Sequence, residues 1–161
     1  MEKRTKYNVD QSNTGRRTHL NITFDSEMEM RFYRDEVLPR MGSGEIVEYE
    51  LQKSYELQPA FIHNEKRILP IIYVADFYLR YADGREEVID IKGAADTTAR
   101  IKRKLFWFKY PTLPYRWLTY VKKYGGWCDW DEVNRLRSLT RRAKKKLQAE
   151  KEKNDGEQDV V

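Results

Sequence analysis

The sequence is poor in cysteine and histidine and has no long apolar run, and each shortage excludes a class of protein. Cys128 is the single cysteine of 161 residues, which excludes an internal disulfide framework and predicts a reducing, cytoplasmic setting. His19 and His63 lie too far apart for a Cys/His zinc site, so any metal would bind to carboxylates. No run approaches the roughly 20 apolar residues that cross a bilayer, and the basic N-terminus lacks a signal-peptide core, so no membrane partner is expected.

Charged residues are abundant and unevenly distributed. They make up 35% of the chain, against an average of about 25%. Positions 100–146 hold 15 Lys and Arg against three acids, a net charge of +12, whereas the whole chain carries +5. The remainder is therefore net acidic. Such a basic half predicts a polyanionic partner, nucleic acid before membrane, and solvated helix faces are the alternative.

Apolar periodicity predicts one folded domain over residues 19–149. Residues 1–18 predict a flexible basic arm, and residues 150–161 predict a disordered polar tail. Within the domain we expect a helix capped by Asp25 or Ser26 and ended by Pro39 and the glycines after it, strands over 45–57, 68–81 and 85–92, a helix over 97–109, a strand over 115–121 and a helix from 129. This order predicts an α/β fold with a mixed four-stranded sheet flanked by helices.

Two aspartates, Asp76 and Asp90, lie in the middle of neighbouring predicted strands, where a buried Asp is costly without a partner. The loop between the strands decides whether they meet. A two-residue Asp-Gly turn puts Asp76 opposite Ile91 and the aspartates on opposite faces. A three-residue loop over 82–84, with Gly84 as a left-handed bulge, pairs Asp76 with Asp90 instead. We expect the three-residue loop, with the carboxylates side by side.

Two adjacent carboxylates repel each other, and Mg²⁺ or Mn²⁺ between them would relieve the repulsion. Lys92, on the same strand face as Asp90, could then orient a water or offset charge on a phosphate. The first helix offers a third acid: Glu29 lies at the edge of the predicted buried stripe, whereas Glu27 can pair with Arg31 on an exposed face. Glu29 is the predicted third acid. An exposed surface pair of Asp90 and Lys92 is the structural alternative.

Asp76 and Asp90-Ile91-Lys92, with a glutamate helix before them and a basic helix after them, resemble the PD-(D/E)xK nuclease superfamily. More narrowly, the segments FDSEMEMRFY, YELQPAF, YVADFYLRYADG, VIDIKG and IKRKLF...YP are similar to a phage-encoded endodeoxyribonuclease family, often labelled only as a domain of unknown function. The likeness runs from about Phe24 to Pro111. Ala75 stands where the superfamily's name has proline, but that proline is not a ligand.

The resemblance implies a restriction-endonuclease-like core, α-β-β-β-α-β, followed by a C-terminal helix. It also implies metal ligation by Asp76, Asp90 and the carbonyl of Ile91, with Glu29 as the acidic helix residue, bound directly or through water, and Lys92 as the catalytic lysine. The basic segments supply the predicted DNA contacts, with a solvated face as the alternative for Lys102: Arg100, Lys102, Lys104, Arg16, Arg17, Arg141 and Arg142.

The function that follows is a metal-dependent DNA endonuclease, phage-encoded and acting in the host cytoplasm on branched or recombination DNA. Resolving a junction takes two cuts, so a symmetric homodimer is expected. Three alternatives remain open: a restriction-like or exonucleolytic nuclease, a DNA-binding module that keeps the fold without cutting, and a basic protein that binds RNA or another protein.

Overall fold

The computed structural model describes residues 14–158 of the chain. Residues 1–13 of the predicted arm lie outside this range, and Thr14–Arg17 forms a short 3-10 helix. Residues 159–161 of the predicted tail also lie outside it, whereas the preceding residues continue the last helix to Gln158. That helix therefore runs past the boundary expected at residue 149.

The described residues form a mixed α/β fold whose elements are named in chain order. The strands are β1 (Thr18–His19), β2 (Ile22–Thr23), β3 (Ile46–Gln58), β4 (Phe61–His63), β5 (Lys66–Ile68), β6 (Ile71–Tyr81), β7 (Glu86–Ile91), β8 (Tyr115–Val121) and β9 (Gly126–Asp129). The α-helices are α1 (Glu27–Phe32), α2 (Leu38–Gly42), α3 (Thr97–Lys109) and α4 (Trp130–Gln158). A π-helical segment, Tyr33–Val37, joins α1 to α2, and a 3-10 turn, Lys122–Tyr124, follows β8.

The central sheet has five strands in the order β3-β6-β7-β8-β9. β7 and β8 run parallel and the other neighbouring pairs run antiparallel, so the sheet is mixed. The expectation of four strands is wrong, because β9 adds an edge strand. Its four residues begin with Gly126. The adjacent glycines Gly125 and Gly126 predict a turn, and the segment that follows is too short to indicate a strand.

The sheet separates two apolar cores. Successive residues of a strand point to opposite faces, and Val88 and Ile89 accordingly belong to different cores. The first core packs α1 and the π-helical segment against the sheet, with Phe32 and Tyr33 buried. The second core packs α3 and the start of α4 against the other face, with Phe106 buried. The domain thus has helices on both faces of its sheet.

The first helix is interrupted in its middle but does not end there. Ser26 is its N-cap, and Ser26 Oγ accepts a hydrogen bond from Glu29 N at 3.1 Å. Pro39, which predicts the end of the helix, lies in the first turn of α2, directly after the π-helical segment. Proline is tolerated in a first helical turn because its missing N–H has no partner to lose there. The helix therefore ends at Gly42.

The loop between β6 and β7 sets the register of these two strands. It is closed by Gly84 in the left-handed conformation, with a φ of 84°. The strands pair so that Phe77 lies opposite Ile89. This is the register of the three-residue loop that the sequence predicts. Continued by one residue, it brings Asp76 opposite Asp90.

Replacing Gly84 with alanine is expected to lower the free energy of unfolding by about 1 kcal/mol, because an L side chain is disfavoured in the left-handed region. A Cβ at this position would meet no atom within 4 Å, so the cost is conformational rather than steric. Gly42→Ala is the matched control, equally uncrowded but helical, and is expected to be neutral or stabilising. Urea denaturation measures both variants, and an equal loss in the two would contradict the left-handed loop.

Two segments project from the cores. α4 buries Trp130 and Val133, but every side chain from 139 to 149 is exposed. β4 and β5 form a separate antiparallel hairpin whose six residues are all exposed. Within residues 14–158, no helix combines the length and the apolar character needed to span a membrane.

Candidate active site

Asp76 and Asp90 are joined through main-chain hydrogen bonds beyond the last paired residues of β6 and β7. Asp76 N donates to Asp90 Oδ1 at 3.2 Å. Ile91 N donates to Asp76 Oδ2 at 2.7 Å. Each carboxylate thus bonds to the main chain of the opposite strand. The predicted register is confirmed, and the two acids meet.

The strands are irregular at this point. Ala75 lies in the second core and Phe77 in the first, although residues two apart in a regular strand share a face. In β3, Gln52 lies opposite Asp76 and has a φ of 54°, which regular strands do not adopt. Because the strands are irregular here, two main-chain N–H groups donate to the carboxylates of Asp76 and Asp90 instead of to carbonyl groups of the neighbouring strand. Such departures from regular backbone geometry cluster at functional sites.

Asp90 is the most buried acid of the cluster, with 0% of its surface exposed. Lys92 Nζ forms an ion pair with Asp90 Oδ2, and Tyr115 Oη lies 3.4 Å from the same oxygen. A charge buried this completely is costly unless it is paired and hydrogen-bonded. The alternative of an exposed surface pair is therefore wrong, because Asp90 has no solvent-facing surface.

Glu29 approaches the aspartates from the first turn of α1. Its side chain is 6% exposed. Glu29 Oε1 accepts from Ser26 Oγ at 2.7 Å, and Oε2 accepts from Asp25 N at 3.2 Å. The residue thus forms a variant of the capping box in which the glutamate bonds to the residue before the N-cap. Glu27, the exposed alternative, pairs with Arg31 at 2.6 Å. The helix thus buries one of its two first-turn glutamates.

Burial raises the pKa values of Glu29 and Asp76. Desolvation, opposed chiefly by the hydrogen bond from Ser26, raises the pKa of Glu29 to about 7. Desolvation also raises the pKa of Asp76 well above its ordinary value, and the charges of Asp90 and Glu29 add to the effect. Lys92 lowers the pKa of both Glu29 and Asp76 but offsets only part of the negative charge. A further cation would relieve the remaining repulsion.

The donor chemistry of the cluster fits a hard divalent cation. Asp76 and Asp90 offer only oxygen ligands, and three acids outweigh the charge of Lys92. Both oxygens of Glu29 are engaged in its capping box. Accordingly, among residues 14–158 no three His, Cys, Asp or Glu side chains are already arranged as a metal site. Asp76 and Asp90 are the residues that could hold Mg²⁺ or Mn²⁺.

The first basic segment lies on α3, which begins shortly after Lys92. Arg100 and Lys104 are exposed. Lys102 is partly buried, and its Nζ donates to the carbonyl oxygen of Ile72 at 2.7 Å, which links α3 to β6. Two of the three predicted phosphate contacts on this helix are therefore open to solvent, whereas Lys102 has a partner in the sheet.

Arg103, which the sequence groups with these cations, is buried between helices. Its guanidinium carbon lies 4.4 Å from the ring centre of Trp107 and 4.2 Å from that of Trp117. Arg103 also forms an ion pair with Asp131 at 2.6 Å. A cation stacked on aromatic faces is stabilised by their quadrupoles. Arg103 thus joins α3, β8 and α4 instead of facing a phosphate.

The remaining predicted DNA contacts lie toward the two ends of the described chain. Arg16 is exposed, whereas Arg17 is partly buried and donates from Nη1 to the carbonyl oxygen of Phe24 at 2.7 Å. Arg141 and Arg142 are exposed on the projecting part of α4. Arg17 therefore holds the 3-10 helix against the domain, and the other three point to solvent.

Three aromatic residues that the sequence does not single out adjoin Asp90. Tyr73, Tyr115 and Trp117 are buried and connected by hydrogen bonds. No sequence pattern assigns these three residues a role at the site. Their role depends on β8 lying beside β7, a long-range pairing that no local pattern reports.

Comparison with known proteins places the chain in a family. A family model described as "Protein of unknown function (DUF1064)" matches residues 4–126. No curated protein matches the chain. The matched range includes Glu29, Asp76, Asp90 and Lys92, and it ends before α4 begins. The chain therefore belongs to the DUF1064 family.

Proposed function

We propose that this protein is a nuclease that hydrolyses DNA phosphodiester bonds with Mg²⁺ or Mn²⁺. The observation that carries the proposal is the cross-bonded pair of Asp76 and Asp90, with Lys92 paired to Asp90. Glu29 adds its charge to the same cluster. Acids with perturbed pKa values gathered around a lysine are typical of catalytic centres. The resemblance to PD-(D/E)xK nucleases supports the same assignment.

Each residue of the cluster has a distinct part in this chemistry. A bound divalent cation supplies Lewis acidity and lowers the pKa of a water molecule. Asp76 and Asp90 would hold that cation, and each has one oxygen bonded to the main chain, which fixes the carboxylate. The resemblance to PD-(D/E)xK nucleases implies the carbonyl oxygen of Ile91 as a further ligand of the cation. Lys92 offsets charge on the reacting phosphate or orients the attacking water. Glu29 would bind the cation through a water molecule.

A restriction-endonuclease-like core is part of the proposal. The elements α1, β3, β6, β7, α3 and β8 follow the order α-β-β-β-α-β that such a core requires. β9 and the two small hairpins would then be additions to it. The order of the elements and the mixed sheet support this assignment. Asp76 and Asp90 lie just beyond the last paired residues of β6 and β7.

DNA is the proposed partner because cations flank the acidic cluster along the chain. Arg100 and Lys104 are exposed on the helix that follows Lys92. The exposed part of α4 carries Arg141 and Arg142, and no acid occurs between positions 133 and 149. Cations that replace counterions along a duplex make binding steeply dependent on salt.

A second candidate is a DNA-binding module that does not cut. The observation that favours it is the arrangement of the acids, in which Lys92 pairs with Asp90 and Glu29 is engaged in its capping box. In this candidate, Lys92 and the capping box stabilise the fold instead of serving a reaction. Metal-dependent cleavage distinguishes the two candidates.

Incubation with labelled linear, nicked and four-way DNA, in Mg²⁺, Mn²⁺ or EDTA, is the test. We expect cleavage with either metal and none in EDTA. Folded protein that binds these DNAs but yields no product with either metal would favour the module. Faster cutting of four-way than of linear DNA would support branched DNA as the substrate. Because resolving a junction takes two cuts, that result would also favour a symmetric dimer. Analytical ultracentrifugation measures whether the protein is dimeric.

A further inference from the structure

A chain of buried hydroxyl and indole groups adjoins Asp90. Trp117 Nε1 donates to Tyr115 Oη at 2.5 Å, and Tyr115 Oη bonds to Tyr73 Oη. Tyr115 Oη also lies 3.4 Å from Asp90 Oδ2. The three aromatic side chains are 1 to 6% exposed. Polar atoms buried to this degree need partners inside the protein, and this chain connects them to the most buried acid of the cluster.

The sheet brings these residues to Asp90 from both sides of β7. β8 runs parallel to β7, with Trp117 opposite Asp90 and Tyr115 opposite Val88. Because residues two apart in a strand share a face, Tyr115 and Trp117 lie on the same side of the sheet, the side covered by α3. Tyr73 joins them from β6 and belongs to the same core. The contact therefore follows from strand order.

We infer that the joined hydroxyls of Tyr115 and Tyr73, supported by Trp117, act as a positioning pair that fixes the carboxylate of Asp90 for binding a divalent cation. The inference rests on the proposed function. Asp90 Oδ1 is already held by Asp76 N, and Oδ2 forms the ion pair with Lys92. Each hydroxyl has one proton: one proton forms the bond between Tyr115 and Tyr73, and the other is left for the pair to donate to Asp90 Oδ2, which limits rotation of the carboxylate. Outer partners of this kind orient metal ligands and tune their affinity.

A purely structural role predicts a different outcome, and Tyr55 provides the comparison. Tyr55 is buried in the same core, and its ring centre lies 5.0 Å from that of Phe106. Its hydroxyl is buried without a hydrogen-bond partner among the described residues. Removing that hydroxyl takes one buried polar atom from the same core but no contact from Asp90. Tyr55→Phe is therefore the matched control for Tyr115→Phe.

The test is Mn²⁺ affinity, measured by isothermal titration calorimetry on the full chain without DNA. Tyr115→Phe keeps the ring and removes Oη, and its affinity is expected to fall roughly 10- to 100-fold. Tyr55→Phe is expected to bind as the wild type does. As a second readout, Mg²⁺ should shift the indole N–H resonance of Trp117 in the wild type and much less in Tyr115→Phe.

The outcomes separate this inference from the proposed function. Wild-type affinity in Tyr115→Phe, or an equal loss in Tyr55→Phe, would overturn the positioning role and leave metal-dependent cleavage intact. A wild-type protein that binds Mn²⁺ but cuts no DNA would remove the nuclease, while a loss confined to Tyr115→Phe would still support positioning. A wild type that binds no Mn²⁺ would overturn both. If Tyr115→Phe does not fold, Tyr73→Phe removes the other hydroxyl, and unchanged affinity there would overturn the inference.

Discussion

Asp90→Asn is expected to slow DNA cleavage by about 10³-fold or more, because it removes a charged group that the reaction uses directly. The amide has nearly the volume of the carboxylate, so the buried site stays filled. It carries no negative charge and has a single oxygen, which Asp76 N already engages in the wild type. A cation would then have Asp76 as its one aspartate ligand, and Lys92 would lose the acid that holds it.

The loss of activity is expected without unfolding. The charge of Asp90 raises the pKa of Asp76, so neutralising it relieves a repulsion inside the folded protein. Lys92 loses its ion pair, but Asp76 and Glu29 remain as acids that interact with it. These effects oppose each other, and the midpoint of thermal unfolding is expected to stay close to that of the wild type. DNA affinity in EDTA is expected to be retained.

Asp83→Asn is the matched control for this substitution. Asp83 is an exposed acid of the β6–β7 loop, paired with Arg85 at 2.6 Å. Single-turnover cleavage and fluorescence anisotropy of labelled DNA measure rate and binding separately. Asp83→Asn should match the wild type in both. Wild-type cleavage by Asp90→Asn would mean that the reaction occurs elsewhere on the protein.

The meeting of Asp76 and Asp90 could be predicted because a short loop controls the register of a hairpin. Asp83 and Gly84 alone would suggest a two-residue turn, which places the aspartates on opposite faces. The observed left-handed Gly84 instead closes a three-residue loop. The cost of burying an unpaired acid in each strand favours the register in which the two aspartates meet. Local loop geometry and a simple energetic argument were sufficient.

The choice of Glu29 over Glu27 was also accessible from local pattern. Ser26 and Glu29 have the spacing of a capping box, and the aromatic residues that follow place Glu29 at the edge of the buried stripe. The structure buries Glu29 and leaves Glu27 exposed in its pair with Arg31. Both signals lie within one helical turn, where sequence is most informative.

What escaped prediction depends on contacts between distant segments. β9 is four residues long and begins at Gly126, so only its pairing with β8 reveals it as a strand. The hairpin of β4 and β5 turns at Asn64 and Glu65, both with positive φ but without the glycine that usually marks such turns. The Tyr115 contact to Asp90 likewise requires that β8 lie beside β7. Single-sequence patterns carry no record of strand order.

The acidic cluster should also make the stability of the metal-free protein fall as the pH rises from about 4.5 to 7. The pKa of Glu29 is raised from 4.5 to about 7, and that of Asp76 is raised as well. In this window the folded protein retains protons that the unfolded chain has released. These retained protons contribute to the free energy of unfolding; the contribution is complete below pH 4.5 and is lost above pH 7. For Glu29 alone it amounts to about 3 kcal/mol.

Other acids do not obscure this window. Asp35 and Glu45 have lowered pKa values because Arg34 and Arg40 donate hydrogen bonds to them. Their contributions are present above the ordinary values of 3.8 and 4.5 and are lost only as the pH falls further. Thermal unfolding between pH 5 and pH 8 in EDTA therefore reports mainly on the cluster. Glu29→Gln, which can still form the capping box, should flatten the slope.

Mg²⁺ should reverse this pH dependence, because the cation binds the ionised acids that otherwise repel one another. Protons compete with the cation at pH 5, whereas at pH 8 the acids are free to bind it. The rise in unfolding temperature caused by Mg²⁺ is therefore expected to grow from pH 5 to pH 8. A metal-free protein that becomes more stable over this range would show that Glu29 and Asp76 do not retain protons in the folded state. A Mg²⁺ effect that does not change with pH would show that these acids do not interact with the bound cation. The repulsion among the acids and the affinity for Mg²⁺ would then depend on different residues, contrary to the proposal.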